Sequence, residues 1–291
     1  KVIKMILTPI NIRTDGSEKV KYDFSDFPVY IRRSLLSLFP NYTANSHWHD
    51  DIELIAVISG HMMYNVNGQI LRINEGEGIL INSRQFHFGF SDDKTECDYI
   101  CVLFHPMILC TTSLIERDYI TPVLESKTDF VLFQKEDNRY MGCFEEIFNI
   151  SENVNSPIKI ITSLFGIWDK VYHNITETEA SSDASRITLL KKMISFIQEN
   201  YKEKFTLEDI ANSGNVSKRT CGNLFLKYLN QTPISYLTDF RLRKSIELMR
   251  KTDMTIIEIS LSVGFSGASY YAECFREQFG MSPTEYKKLM K

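Results

Sequence analysis

Between residues 29 and 105, apolar positions recur in short runs rich in Val, Ile, Phe and Tyr. Residues 52–58, 61–66, 70–73, 79–81 and 99–104 read as strands. Ser59-Gly60, Asn67-Gly68 and Glu75-Gly76-Glu77-Gly78 separate them as turns. An Asn-Gly pair between two such runs is a strong hairpin signal, because both residues accept positive φ. Many short strands at this spacing predict an antiparallel barrel or sandwich. After residue 106 the period becomes helical. Residues 137–150 and 158–175 carry apolar positions three and four apart, and Ile161, Leu164, Phe165, Trp168, Val171 and Tyr172 form one stripe. Pro157 suits the first turn of that helix and Ser156 its N-cap. Residues 176–185 are small and polar and read as a linker. From Arg186 onward the pattern predicts seven helices, beginning near residues 187, 207, 217, 234, 255, 267 and 283. The expected fold class is α+β. A β-barrel over 1–135 is followed by a helical dimerisation region and linker over 136–185, then by an all-α domain over 186–291.

Composition adds bounds. A chain of 291 residues with 43% hydrophobic content has room for two cores and is not a mainly disordered polymer. No run approaches the roughly 18 apolar residues of a membrane span. Residues 1–10 mix Lys with Ile and Leu, so no signal peptide is expected. Cysteines 97, 101, 110, 143, 221 and 274 form no C-x-x-C pair and no zinc spacing. They are expected to be reduced thiols in apolar surroundings, which favours the cytoplasm. None lies in an evidently electropositive pocket, which sets aside a reactive-thiol repair regulator. Charge is uneven. Residues 186–291 hold 17 Lys/Arg against 11 Asp/Glu, a net +6, and the rest holds 16 against 26, a net −10. A basic C-terminal part fits a nucleic-acid-binding module joined to a second domain.

The C-terminal part contains an internal repeat. Thr206-Leu207-x-x-Ile210-Ala211 matches Thr255-Ile256-x-x-Ile259-Ser260, Val216-Ser217 matches Phe265-Ser266, and Phe225, Pro233 and Tyr236 match Phe275, Pro283 and Tyr286. The offset grows from 49 to 50, so the second copy carries one extra residue near its turn. Each copy has the logic of a helix-turn-helix. A small residue, Ala211 or Ser260, lets the second helix approach. Gly214-Asn215 or Gly264 supplies a turn that tolerates positive φ. Val216 or Phe265 plugs the core, and Ser217 or Ser266 is the expected N-cap of the second helix. Leu224 and Phe225, or Tyr271, Cys274 and Phe275, face inward, leaving the opposite face for a major groove. The motifs span about 207–228 and 256–279.

These residues resemble the AraC/XylS-type DNA-binding domain. The resemblance rests on the positions above, on Arg241-Leu242, Val263-Gly264-Phe265 and Tyr270-Tyr271, and on Gly280-Met281-Ser282-Pro283-x-x-Tyr286, and covers about a hundred residues. It implies a linking helix, near 233–250, that holds two recognition helices for successive major grooves. It places base-facing positions at Arg219, Gly222 and Asn223, and at Ala268, Ser269, Ala272 and Glu273. Asn223 and Glu273 depart from the Arg usual there. Cys221 replaces a usual Leu, and Gly222 inside a helix costs about 1 kcal/mol relative to Ala. Arg219 suits guanine O6/N7 and Asn223 suits adenine N6/N7, so the first copy is expected to carry more of the sequence readout. Ser217 and Ser266 flank these faces. Lys218, Lys227, Arg243 and Arg276 are candidate phosphate contacts, with solvated surface charge as the alternative.

One N-terminal constellation carries candidate chemistry: His47-x-His49-x-x-x-Glu53, six residues, then Gly60. On one strand the three polar residues would share a face. The spacing resembles the first cupin motif. Gly76 and His87 fit the second, with Asn74 where cupins usually carry Pro. An N-terminal cupin-like barrel is what the resemblance to AraC-type regulators implies. Two uses remain open beside a purely structural role. His47, His49, Glu53, Tyr64, His87 and Tyr99 could line a pocket for a sugar or other small metabolite, or His47, His49, Glu53 and His87 could hold a divalent metal. Trp48 is expected on the opposite side, and Phe86 is a further aromatic near the pocket. The expected function is a DNA-binding, ligand-responsive transcription regulator acting as a homodimer, with RNA polymerase as a further partner. It is not expected to be an enzyme. The alternative is a metal-dependent cupin enzyme, an oxygenase or isomerase, fused to a DNA-binding domain.

Overall fold

The computed structural model describes residues 17–18, 20–24, 26–175, 184–229 and 231–289, the side chains of 184 and 185 excepted. The chain divides into two compact units, an N-terminal one to Ser181 and a C-terminal one from Ser182. The expectations for residues 1–10 and most of the 176–185 linker lie outside the described residues. No described helix is long and apolar enough to cross a membrane.

Among its described residues the N-terminal unit holds seven strands: β1 (Val29–Leu35), β2 (Ile52–Val66), β3 (Gln69–Asn74), β4 (Gly78–Ile81), β5 (His87–Phe90), β6 (Cys97–Phe104) and β7 (Phe130–Phe133). All the pairings are antiparallel, in the order β1-β6-β2-β4-β7, and β3 and β5 both pair with β2. The Asn67-Gly68 hairpin forms, with φ of 49° and 84°. The turn expected at Ser59-Gly60 does not. Residues 52–66 are one strand of 15 residues. Val57 lies opposite Tyr99 and Ser59 opposite Asp98, so Ile58 is an extra residue in a β-bulge. Gly60 serves this bend rather than a reversal. Its φ is +77°, and a Cβ there would lie 2.1 Å from the Glu96 carbonyl oxygen.

The bulge makes β2 serve two sheets. Its first half pairs with β4 and β6, its second with β3 and β5. The side-chain alternation also slips by one residue across it. Before the bulge Ile55 and Val57 join the inner core, and after it Met62, Tyr64 and Val66 do. Ile52, Leu54 and Ala56 join a second core on the other face. Both faces of the first half are therefore covered, which explains its continuous apolar run.

Helices cover that outer face. A first, α1 (Cys143–Glu152), is shorter than the expected 137–150 helix because Gly142, at φ 84°, interrupts the chain after a 3-10 turn. A second, α2 (Pro157–Asn174), starts with Pro157 as expected, but Ser156 makes no side-chain cap bond. Its innermost residues are Ile160, Leu164, Ile167, Trp168 and Val171, buried in one core with Ile52, Leu54, Val102 and Phe104. The predicted stripe is thus rotated toward Ile160 and Ile167. Its buried side packs on the unit's own sheet, while Ile161, Phe165 and Tyr172 stay half-buried.

Among its described residues the C-terminal unit has seven helices: α3 (Ala184–Asn200), α4 (Leu207–Ser213), α5 (Lys218–Leu229), α6 (Pro233–Lys251), α7 (Ile256–Ser262), α8 (Ala268–Phe279) and α9 (Pro283–Leu289). Capping boxes open both α4 and α7. Thr206 and Asp209 form one, Thr255 and Glu258 the other. Each satisfies two backbone donors that a seven-residue helix would otherwise leave to water. These boxes are the physical content of the Thr206/Thr255 match.

Candidate functional site

The two helix-turn-helix motifs are α4–α5 and α7–α8. Ala211 and Ser260 are fully buried where the helices meet, and Leu224, Phe225, Tyr271, Cys274 and Phe275 face the core. In the first turn it is Asn215, at φ 53°, that takes the left-handed conformation. Gly214 has an ordinary φ of −91°. Gly214 is required for space instead, since a Cβ would lie 2.8 Å from Met193 Cγ. In the second turn Gly264 has φ +90°, and a Cβ there would lie 2.6 Å from the Tyr201 carbonyl. Ser217 caps α5 by accepting from the Thr220 amide at 3.1 Å. Ser266 does not cap α8. Gly267 occupies that N-cap and provides no side-chain bond. The extra residue seen in the repeat offset therefore sits at the entry to the second recognition helix.

Ser217, Lys218, Arg219, Asn223 and Lys227 are exposed along the first motif, and Gly222 is half-buried with open space where its Cβ would be. Ser266, Ser269, Glu273 and Arg276 are exposed along the second, with Ala268 and Ala272 half-buried. Cys221 faces the core, and burial pushes its thiol up to about 11. Lys218 pairs with Glu208 at 2.7 Å between exposed side chains, a contact weak enough for a phosphate to replace. Arg243 departs from the expectation of a surface phosphate contact. Its side chain is only 17% exposed and pairs inward with Asp239 at 3.0 Å, so it is not a surface phosphate contact. Arg241, by contrast, donates to the carbonyls of Tyr201 (2.7 Å) and Glu203 (2.9 Å) and thereby fastens α6 to the segment after α3.

In the N-terminal unit, His47, His49, Glu53 and His87 converge, all buried, with one ligand atom from each within 4.8 Å of the others. The route differs from the expected single strand. His47 pairs with His87 in an isolated bridge, residues 50–51 form a bend, and only Glu53 lies within β2. One Glu53 oxygen contacts His87 Nε2 at 2.9 Å and His49 Nε2 at 3.2 Å, and the other accepts from the Tyr64 hydroxyl at 2.5 Å. Burial opposes ionisation of Glu53, but the charge of His87 and the hydrogen bonds of both rings outweigh it and hold its carboxyl well below the usual range. Burial likewise opposes charge on His49, yet its bond to Glu53 raises its pKa. Tyr64 is pushed well above its usual value by burial and by Glu53. Tyr99 lines the same inner core, near Cys101, while Phe86 is packed in the unit's interior.

Sequence reasoning missed Glu18. Its amide donates to the Trp48 carbonyl at 2.8 Å and its carboxyl lies 3.3 Å from His47 Nε2. Burial raises Glu18 to about 7 and lowers His47 to about 3. Near neutral pH His47 is therefore a neutral imidazole, and its contact with Glu18 is not an ion pair. Glu18 is far from the motif in sequence, and no spacing rule would find it. A second group, His61 with Asp92 and Asp93, is largely exposed.

The comparisons follow the same division. A profile described as AraC-like ligand binding domain matches residues 38–165, and one described as Helix-turn-helix domain matches 210–289. The chain belongs to the AraC family of transcription regulators. It is 28% identical over 274 residues to the HTH-type transcriptional regulator YdeC of Bacillus subtilis, covering 91% of this chain and 93% of that protein. It is 25% identical over 291 residues to the melibiose operon regulatory protein of Escherichia coli, covering 95% and 94%. Among solved structures, ToxT from Vibrio cholerae is 17% identical, covers 91% of this chain and 100% of that one, and has a TM-score of 0.43. The chain is accordingly a DNA-binding transcription regulator with a ligand-binding domain, and both of these full-length relatives are named as regulators.

Proposed function

We propose that the chain is a one-component regulator in which an effector held by the buried His/Glu cluster changes the grip of the two C-terminal motifs on one operator. The observation that carries this reading is the pair of built helix-turn-helix motifs, each with an exposed face and a closed core, in one chain with a buried polar cluster. Arg219 and Asn223 read bases, and Lys218, Lys227 and Arg276 hold phosphates. The second motif, with Ser269 and Glu273 on its face, mainly anchors and sets spacing. Glu273 is suited to cytosine N4 and ill suited to phosphate. Residues 1–135 with the packed helices α1 and α2 form the sensor, and 186–291 the DNA-binding domain. An effector acts by binding one of two states more tightly. The regulator works in the cytoplasm as a homodimer and contacts RNA polymerase. Phe148, Val154 and Ile158, on and between α1 and α2, are exposed apolar positions open to a second copy. A mass that stays monomeric at every concentration would remove the dimer.

The central test is operator selection from random duplexes, followed by binding of Arg219→Ala. The expected loss is about 1–3 kcal/mol on the selected operator with relaxed preference at one base pair. An equal loss on all sequences would make Arg219 a phosphate contact and overturn its role in readout.

A further inference from the structure

The exposed side of α5 carries one apolar residue that the roles above leave unused. Leu226 is 51% exposed, and among the described residues it is the one large apolar side chain of α5 that faces out. The core of the motif does not need it, because Cys221, Leu224, Phe225, Tyr228 and Leu229 already face inward from the same helix. At 3.6 residues per turn each residue advances about 100° around the axis. Leu226 then projects about 20° from Arg219, about 40° from Gly222 and about 60° from Asn223. It lies inside the arc that those three residues span, not at its margin. Along the axis it stands about 4.5 Å past Asn223, little more than one base-pair step of about 3.4 Å. With Phe225 matched to Phe275, its counterpart in the second motif is Arg276. One copy thus holds a cation suited to phosphate at this place, and the other a hydrocarbon that offers a phosphate nothing. Helical side chains lean toward the N-terminus, so Leu226 leans over the turn that holds Gly222 and Asn223. A Cβ on Gly222 would meet no atom within 4 Å, so that flank of Leu226 is open. The reading face therefore contains an apolar notch, with the bare backbone of Gly222 beside Leu226.

We propose that Leu226 is a specificity-determining residue that packs on the C5-methyl group of one operator thymine, about one base pair from the pair read by Asn223. This rests on the reading of α5 as the helix that lies in the major groove, and it adds a base that no hydrogen bond selects. Among the four bases only thymine presents a methyl group in that groove. Cytosine, adenine and guanine would set polar edges against the notch and leave them without partners. The glycine at 222 gains a use in the same step, because a side chain there would narrow the space that the methyl enters. The contact also separates the two motifs further: the first reads a base where the second, through Arg276, holds the backbone.

The test uses the full chain and the operator selected from random duplexes. Each thymine of that operator is replaced in turn by deoxyuridine, which removes the methyl alone, and affinity is read by fluorescence anisotropy. One replacement in the half bound by the first motif should weaken binding about 4-fold, the effect of uncovering one buried methyl group. Leu226→Ala should weaken binding to the thymine operator by a similar factor and should bind the thymine and deoxyuridine operators equally. Leu226→Lys, which supplies the side-chain type of the second motif, should likewise lose the difference. Cytosine in place of that thymine should cost more, and 5-methylcytosine should recover about 4-fold of the loss. Ile257→Ala, at an exposed apolar position of α7, should keep the full effect of deoxyuridine. Leu226 is exposed, so its variants should melt as the parent chain does. Equal loss by Leu226→Ala on the parent operator and on every deoxyuridine operator would overturn the methyl contact. So would a first-motif half without thymine, or a Leu226→Ala chain that changes in self-association and not in DNA affinity. If Arg219→Ala and Asn223→Ala left base preference unaltered while a Leu226-dependent deoxyuridine effect persisted, the roles of those two residues would fall and that of Leu226 would stand.

Discussion

Replacing Tyr64 by Phe tests the feature on which the buried cluster depends. Tyr64 and Glu53 are separated by eleven residues on one strand. On a regular strand an odd separation would point them to opposite faces. They meet only because Ile58 is an extra residue in the bulge. The substitution keeps the ring and creates no cavity, so it removes the hydroxyl bond alone. A hydrogen bond to a charged group contributes about 1.5–3 kcal/mol. Glu53 keeps its His49 and His87 contacts but loses the donor on its other oxygen, so the expected cost is about 2–3 kcal/mol. Tyr99→Phe is the control. Its hydroxyl partner is the neutral Ser34, and its expected cost is about 0.5–1.5 kcal/mol. Both tryptophans, Trp48 and Trp168, lie in the N-terminal unit, so fluorescence during urea unfolding reports that unit without the DNA-binding helices. The measurement is made in EDTA. A Tyr64→Phe effect below about 0.5 kcal/mol, or no larger than that of Tyr99→Phe, would refute the register shift and with it the assembly of the cluster.

Gly222→Ala should stabilise the C-terminal unit by about 1 kcal/mol, because the added Cβ meets nothing; a simultaneous loss of operator affinity in a binding titration would show that the glycine serves close approach to DNA. Arg243→Met should lower the melting temperature but leave the salt slope of DNA affinity unchanged, whereas Arg276→Ala should reduce that slope by about 0.9; an equal fall for Arg243→Met would return it to the DNA surface. Burial holds the thiols of Cys97, Cys143 and Cys221 at about 11–12. Iodoacetamide at pH 8, read by peptide mass spectrometry, should therefore mark the more open Cys110 first, with the buried three gaining reactivity only as pH rises toward 11. Labelling of Cys221 ahead of Cys110 would show that α5 opens.

Local chemistry was legible from the chain alone. The capping residues Thr206 and Thr255, the Asn67-Gly68 turn, the small residues at 211 and 260 and the inward aromatics all act on neighbours a few positions away. A repeat exposes them twice. The residue types of the cluster were legible too, because His, His and Glu at close spacing are rare in a strand-rich segment. Other features required the tertiary structure. The bulge at Ile58 reverses which side chains face inward, and a pattern read with period two has no means of registering one extra residue. The α2 stripe was found but not its partner, since an amphipathic helix says that a face is buried and not against what. Arg243 reads as a surface cation until Asp239 is placed beside it. Glu18 meets His47 across 29 positions, joined by a backbone bond to Trp48 that leaves no trace in the sequence. Propensity and periodicity are local, so the sequence by itself determined most of the helices and the two DNA-binding motifs, but not β7 or the continuity of β2. Burial and pairing between distant segments decided where the charged groups of the sensor converge.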